Sequence, residues 1–185
     1  MSKTPITDQL LSIVVPLYNE QDNVVLLTEK IHESLEGYRY EIVYVNDFST
    51  DETVRVIKKM GDETVHLIEL KKNYGQSLAL AAGIDYAKGE YIITMDGDLQ
   101  NDPSDIPEML HWAINEHYDL VTGIRQKRKD SWLKTIPSKV ANFLVRKVTS
   151  LDIKDNGCAL KVFSKDIAKN LNLYGEMHRF ITLLA

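Results

Sequence analysis

Short apolar runs alternate with amphipathic segments along most of this chain. Five of the runs have the length and the β-branched or aromatic content of a buried strand. These predicted strands are Leu11–Leu17, Tyr40–Val45, Val65–Leu70, Tyr91–Met95 and Asp119–Gly123. A further strand is expected late in the chain, over Cys158–Lys161.

Helical periodicity fills the intervals between these runs. Ser49 or Thr50 is expected to cap the second helix, and Ser104 a helix that continues through His117, because short polar side chains satisfy free N–H groups. The third helix, Gln76–Ala87, is rich in small residues. The clearest periodicity follows the first strand, where the apolar positions are Val24, Leu27, Ile31 and Leu35.

This alternation predicts an α/β fold with a mostly parallel sheet and helices on both faces. With 185 residues, the chain has the length of one domain, and we expect residues 1–185 to form it. The net charge of −5 argues against a nucleic-acid partner. The single cysteine, Cys158, fits a reducing compartment. The apolar end at residues 180–185 suggests a piece cut before a C-terminal membrane segment.

Polar residues follow most of the predicted strands at the point where each strand ends. Ligands of parallel α/β sheets bind at this carboxyl edge. The opposite-edge loops, such as residues 37–39 and 87–90, have the composition of ordinary turns. The ligand-capable segments are Tyr18-Asn19-Glu20, residues 46–51, residues 96–100, and Gly123-Ile124-Arg125. We therefore expect a functional site at this edge.

Asp96 and Asp98 are the most informative candidate site residues in the chain. They follow an apolar strand one residue apart, and in an extended backbone their side chains would share a face. Two hard oxygen ligands suit Mg²⁺ or Mn²⁺, which leave their other positions to water and phosphates. Gln100 would project to the same side. The alternative is a solvated acidic turn after a strand.

Several motifs together resemble those of the family 2 glycosyltransferases. Within that family they are most similar to the polyisoprenyl-phosphate subgroup of the dolichol-phosphate mannose synthase type. The resemblance covers nearly the whole chain, although Asn46 and Phe48 depart from the family's usual Asp and Gly. The motifs that carry it are residues 16–20, 46–53, 96–103, 123–130 and 175–180. It implies a Rossmann-like nucleotide-sugar-binding (GT-A) fold.

The resemblance also implies a set of site residues. Asp96, Asp98 and Gln100 would contact a divalent metal, Mg²⁺ or Mn²⁺, with Asp98 the direct ligand. Arg125 and Arg128 would contact donor or lipid phosphate through bidentate guanidinium groups. The nucleotide would be framed by Pro16, Tyr18, Asn19, Glu20 and Asp47.

The resemblance further implies transfer of a hexose, with inversion, from a UDP- or GDP-linked donor to a polyprenyl phosphate. The enzyme would act at the cytoplasmic face of a membrane, and assembly into a homo-oligomer stays open. Asp155 would face the acceptor, or act as base if the acceptor is a hydroxyl. Transfer to a saccharide hydroxyl in envelope polysaccharide synthesis stays open, as does a nucleotide-binding module without activity. An amphipathic stripe over residues 132–148 is expected either to pack on the core or to lie on a membrane surface.

Overall fold

The computed structural model describes residues 7–124 and 158–171. In chain order its strands are β1 (Leu11–Leu17), β2 (Tyr40–Asn46), β3 (Val65–Glu69), β4 (Tyr91–Thr94), β5 (Leu120–Thr122) and β6 (Lys161–Ser164). Its helices are α1 (Val24–Ser34), α2 (Thr53–Met60), α3 (Gln76–Tyr86), α4 (Ile106–Asn115) and α5 (Lys165–Lys169), with a 3₁₀ turn at Pro103–Asp105 before α4. The first five predicted strands are thus confirmed to within one residue at each end.

The six strands form a sheet in the order β3-β2-β1-β4-β6-β5. Strands β1 to β4 pair in parallel, and β6 runs antiparallel to both β4 and β5. Because β1 lies between β2 and β4, the carboxyl ends of these three strands meet at the centre of one edge. This edge is where the sequence places its acidic motifs.

Helices cover both faces of the sheet, as predicted. On one face α1, α2 and α4 bury residues such as Leu27, Ile57 and Leu110. On the other face α3 and α5 pack against β1, β2 and β4. Helix α3 approaches closely because of Gly83, where an added Cβ would stand 2.4 Å from Cγ1 of Val14. The small-residue composition of α3 therefore serves close helix-to-sheet packing.

Three local predictions were wrong. Helix α2 begins at Thr53, beyond the predicted caps Ser49 and Thr50, because Asp51 accepts the Thr53 N–H at 3.0 Å. Asp102 caps the turn before α4 by accepting the Ser104 N–H, so Ser104 is not the cap, and α4 ends at Asn115. The late strand starts only at Lys161, and the preceding carbonyls form isolated bonds instead of ladder pairs: Ala159 accepts the Thr94 hydroxyl and Leu160 accepts the Gly123 N–H.

Within the described residues, no helix is both long enough and apolar enough to cross a bilayer.

Candidate functional site

An open cavity of about 260 Å³ lies at the carboxyl ends of β1, β2 and β4. In the described part of the chain its lining includes four carboxylates and no lysine or arginine. The lining residues are Pro16, Leu17, Tyr18, Glu20, Asp47, Gln76, Asp96, Gly97 and Asp98. The fold thus brings together six of the residues predicted from sequence, which come from three separate segments.

Asp96 and Asp98 reach this cavity from a bend rather than from an extended strand. Strand β4 ends at Thr94, and the following Met95 is buried, with its N–H bonded to the carbonyl of Val14. The chain then bends at Gly97 against the end of β1, and a Cβ on Gly97 would stand 2.5 Å from Cδ2 of Leu17. Glycine at this position therefore lets both carboxylates face the cavity.

Gln100 does not line the cavity, and the extended geometry expected for it is wrong. The backbone turns at Leu99, which has a φ of 61°. The N–H of Gln100 donates to Oδ1 of Asp98 at 3.0 Å, which closes this turn. The Gln100 side chain is exposed, so its role as a metal or phosphate contact stays a prediction.

Asp47 is buried at the end of β2, and both of its carboxylate oxygens accept backbone hydrogen bonds. Oδ1 accepts from the N–H of Tyr74 at 2.7 Å, and Oδ2 from the N–H of Gly75 at 2.8 Å. Its own N–H donates to the carbonyl of Leu17 at 2.8 Å. Asp47 therefore does not cap the next helix, α2. It fixes the loop that precedes α3 while also lining the cavity.

Asn19 lies outside the cavity lining and holds the loop after β1 in place. Its N–H donates to Oγ of Ser49 at 2.9 Å, and its Oδ1 accepts the N–H of Thr50 at 2.8 Å. The neighbouring Glu20 donates its N–H to Oγ1 of Thr53 at 2.8 Å. These bonds join the first loop to the second and so position Tyr18 and Glu20, whose side chains line the cavity.

Asp51 also stabilises the contact between the first and second loops. Its Oδ1 accepts hydrogen bonds from the hydroxyl and the N–H of Thr53, and its Oδ2 accepts from the N–H of Gln21. Partial burial acts to raise the pKa of Asp51, but these hydrogen bonds outweigh it and hold the pKa below its ordinary value of 3.8. Asp51 is thus a structural anion, as its position before a helix indicates.

Gln76 is a cavity residue that the motif comparison missed. It is the first residue of α3, and its Nε2 donates to Oδ1 of Asp96 at 2.6 Å. The sequence indicated Gln76 only by its position, because the segment after the third strand begins at the same edge of the sheet as the acidic motifs.

Three predicted site residues, Arg125, Arg128 and Asp155, lie outside the described residues, as does the amphipathic stripe over residues 132–148.

The donor set of the cavity fits a hard divalent cation. Asp96 and Asp98 offer carboxylate oxygens, and the described residues contain no cluster of three or more His, Cys, Asp or Glu that would enclose a metal by itself. Mg²⁺ is usually held by one or two carboxylates together with substrate phosphates. The four carboxylates of the described lining also form a negative cluster, which disfavours a diphosphate unless a cation lies between them.

The chain is similar in sequence to known glycosyltransferases. The family model described as glycosyl transferase family 2 matches residues 12–171. The chain is 44% identical over 183 residues to a dodecaprenyl-phosphate galacturonate synthase of Rhizobium johnstonii, covering 96% of this chain and 54% of that protein. It is 36% identical over 184 residues to an undecaprenyl-phosphate 4-deoxy-4-formamido-L-arabinose transferase of Edwardsiella ictaluri, covering 97% and 56%. The chain therefore spans about half the length of these curated relatives.

Solved structures share the fold at low sequence identity. A mannosyltransferase of Pyrobaculum calidifontis, in complex with GDP-Man and Mn²⁺, matches with a TM-score of 0.67 and 20% identity, over 94% of this chain and 50% of that one. A glucosyl-3-phosphoglycerate synthase of Mycobacterium tuberculosis, in complex with Mn²⁺, UDP-glucose and phosphoglyceric acid, matches with a TM-score of 0.69 and 16% identity, over 86% and 57%. These likenesses confirm the predicted Rossmann-like GT-A architecture.

Proposed function

Because the chain belongs to glycosyltransferase family 2, we propose that its protein transfers a hexose or related sugar from a nucleoside diphosphate to a polyprenyl phosphate. The reaction would require Mg²⁺ or Mn²⁺, invert the anomeric centre and take place at the cytoplasmic face of a membrane. Two relatives that match nearly the whole chain carry a polyprenyl phosphate in their names, which supports this acceptor class.

The observation that carries the proposal is the meeting of Asp96 and Asp98 with the loop of Tyr18 and Glu20 in one cavity. In the proposed complex, Asp98 and Asp96 would hold the metal, which would supply Lewis-acid neutralisation of charge on the leaving diphosphate. Tyr18, half exposed at the cavity wall, packs beside the nucleoside. The diphosphate and nucleoside parts of the donor are then recognised by the loops that follow β4 and β1.

Glu20 and Asp47 serve the nucleoside end of this cavity. Each carboxylate oxygen of Asp47 accepts one backbone N–H, and a carboxylate oxygen has a second acceptor position for the ligand. The Glu20 Oε2 accepts the side-chain amide of Asn23 at 2.7 Å, which orients the carboxylate. Both residues thus enter the cavity as oriented acceptors for ribose hydroxyl or base N–H groups.

The acceptor needs no strong general base in this proposal. A polyprenyl phosphate is already anionic near neutral pH, so its oxygen attacks the anomeric carbon while the bond to the nucleoside diphosphate breaks, and inversion follows from displacement on the opposite face. The remaining requirements are positioning and charge neutralisation. Arg125 and Arg128 would bind phosphate, and Asp155 would face the acceptor.

A transfer assay with the full-length protein tests this function. Labelled UDP- and GDP-linked hexoses and a UDP-linked uronic acid are offered with polyprenyl phosphate or with a soluble saccharide, in Mg²⁺, Mn²⁺ or EDTA. We expect metal-dependent label in the lipid fraction. Asp98→Ala should lower the rate at least about a hundredfold.

The matched control is Asp85→Ala, which removes an exposed carboxylate at the far end of α3 and outside the cavity. It should leave the rate unchanged. Label in the saccharide rather than the lipid would instead support hydroxyl glycosylation, and an unchanged rate in Asp98→Ala would remove the metal assignment.

A further inference from the structure

We infer that Gln76 is a positioning residue that sets the orientation of the Asp96 carboxylate for the metal–diphosphate end of the donor. The inference rests on the proposed function of the cavity. It adds a residue that neither the motif resemblance nor the relatives' names assign. Its basis is the 2.6 Å hydrogen bond from Nε2 of Gln76 to Oδ1 of Asp96 at the cavity wall.

The backbone that precedes Gln76 is itself fixed by hydrogen bonds. Gly75, with a φ of 87°, precedes the first residue of α3, and its N–H is bonded to Asp47. The N–H of Tyr74 is bonded to the same carboxylate. Three consecutive residues therefore hold the acids that follow β2 and β4, one on each side of β1. Because Asp47 is buried at the end of β2, these bonds tie the start of α3 to the sheet.

The chemistry of an amide suits this role better than that of a cation. A lysine or arginine at position 76 would orient Asp96 but would also neutralise its charge. The neutral carboxamide donates one hydrogen bond and does not itself neutralise the negative charge of Asp96. Partners that orient a metal-binding carboxylate in this way typically contribute about 10-fold to 100-fold in metal affinity.

Asp96 needs such a partner because of the acids around it. Asp98 and Glu20 line the same cavity, and like charges favour rotamers that separate them. The backbone before Asp96 is fixed by the bond from Met95 N–H to Val14, but its side-chain torsions are not fixed by the backbone. The bond from Gln76 to Oδ1 restrains these torsions before the donor arrives.

The test measures binding of UDP and GDP to the full-length protein by calorimetry while Mn²⁺ is varied, with free Mn²⁺ followed by electron paramagnetic resonance. Gln76→Met keeps the side-chain length and removes the donor. We expect it to raise the Mn²⁺ concentration for half-maximal nucleotide binding about tenfold, with the metal-free melting temperature unchanged. Gln76→Lys should raise that concentration further, because it neutralises Asp96. Gln9→Met, an exposed amide outside the cavity, is the matched control and should have no effect.

A double-mutant cycle shows whether Gln76 acts through Asp96. In an Asp96→Asn background, Gln76→Met should cause little further change in the Mn²⁺ requirement. Equal effects of Gln76→Met in both backgrounds, or a lowered melting temperature with an unchanged Mn²⁺ requirement, would overturn the inference. Metal-independent nucleotide binding by the unaltered protein would instead contradict the proposed function, so the two failures are distinguishable.

Discussion

The side-chain oxygen of Asn19 accepts the backbone N–H of Thr50 at 2.8 Å, which ties the loop after β1 to the loop after β2. Asn19 has a φ of 57°, in the left-handed region that asparagine tolerates better than most residues. Tyr18 and Glu20 flank it and line the cavity. The nucleoside end of the proposed donor site is therefore fixed by a residue that need not touch the ligand.

Two substitutions at position 19 separate the bond from the backbone conformation. Asn19→Gly loses the acceptor but keeps the left-handed φ, and should lower the free energy of unfolding by about 1 kcal/mol. Asn19→Ala loses both and should lower it by about 2 kcal/mol. Urea denaturation measures the two values. Equal stability of the two variants would contradict the backbone part of this account.

Asp47→Asn should be costly despite its similar shape. The carboxamide can accept only one of the two N–H groups of Tyr74 and Gly75, and its NH₂ group would face the other donor. These two N–H groups are partly buried, so leaving one of them without an acceptor should lower the free energy of unfolding by about 1 kcal/mol. The exposed Asp85→Asn is the control in the same denaturation series. A loss no larger than that of the control would show that the loop before α3 does not depend on Asp47.

The backbone conformation at position 48 should favour glycine over phenylalanine. It stands half exposed next to Asp47 with a φ of 63°, at a position where the resembled family usually has glycine. A left-handed residue other than glycine costs about 1–2 kcal/mol. Phe48→Gly should therefore unfold at a higher urea concentration than Phe48→Ala, with a difference of about 1 kcal/mol in the free energy of unfolding. The reverse order would show that position 48 is not strained.

The Asp51 anchor should weaken in acid. Its pKa is held below 3.8 in the folded chain by bonds from Thr53 and Gln21, so it binds a proton less readily folded than unfolded. Its stabilising contribution is then present above pH 3.8 and is lost as the pH falls through the lower folded pKa. The stability difference between the unaltered protein and Asp51→Asn should be constant from pH 7 to 5 and shrink below about pH 4. Urea midpoints at four pH values measure it, and a difference that grows in acid would contradict the assignment.

Much of the fold follows from local pattern. Strands such as Leu11–Leu17 are apolar at most positions, as expected for strands buried on both faces, and the structure confirms their bounds. The error at Ser49 and Thr50 arose because several short polar residues in a row could each cap α2. In the folded chain Asp51 accepts the Thr53 N–H at the start of α2, and it also accepts the N–H of Gln21 from another loop.

Site residues were predictable where a motif in their own segment indicated their chemistry, and the bonds between segments were not. Asp96 and Asp98 were identified by spacing, although the bend at Gly97 replaced the expected extended backbone. The bond between Gln76 and Asp96 joins residues twenty positions apart, and neither residue's neighbours in sequence indicate the other. The same holds for Asp47 and Gly75. Such pairings depend on which strands become neighbours, and that is set by the whole sheet.

The central claim is that the carboxylates after β4 bind a nucleoside diphosphate through a divalent metal. Thermal unfolding of the full-length protein with UDP or GDP, in Mn²⁺ or in EDTA, tests it directly, because a ligand that binds the folded state raises the Tm. The account predicts a rise with one of the two nucleotides in Mn²⁺, none in EDTA, and none in Asp98→Ala under either condition. An equal rise in EDTA, or an undiminished rise in Asp98→Ala, would contradict it.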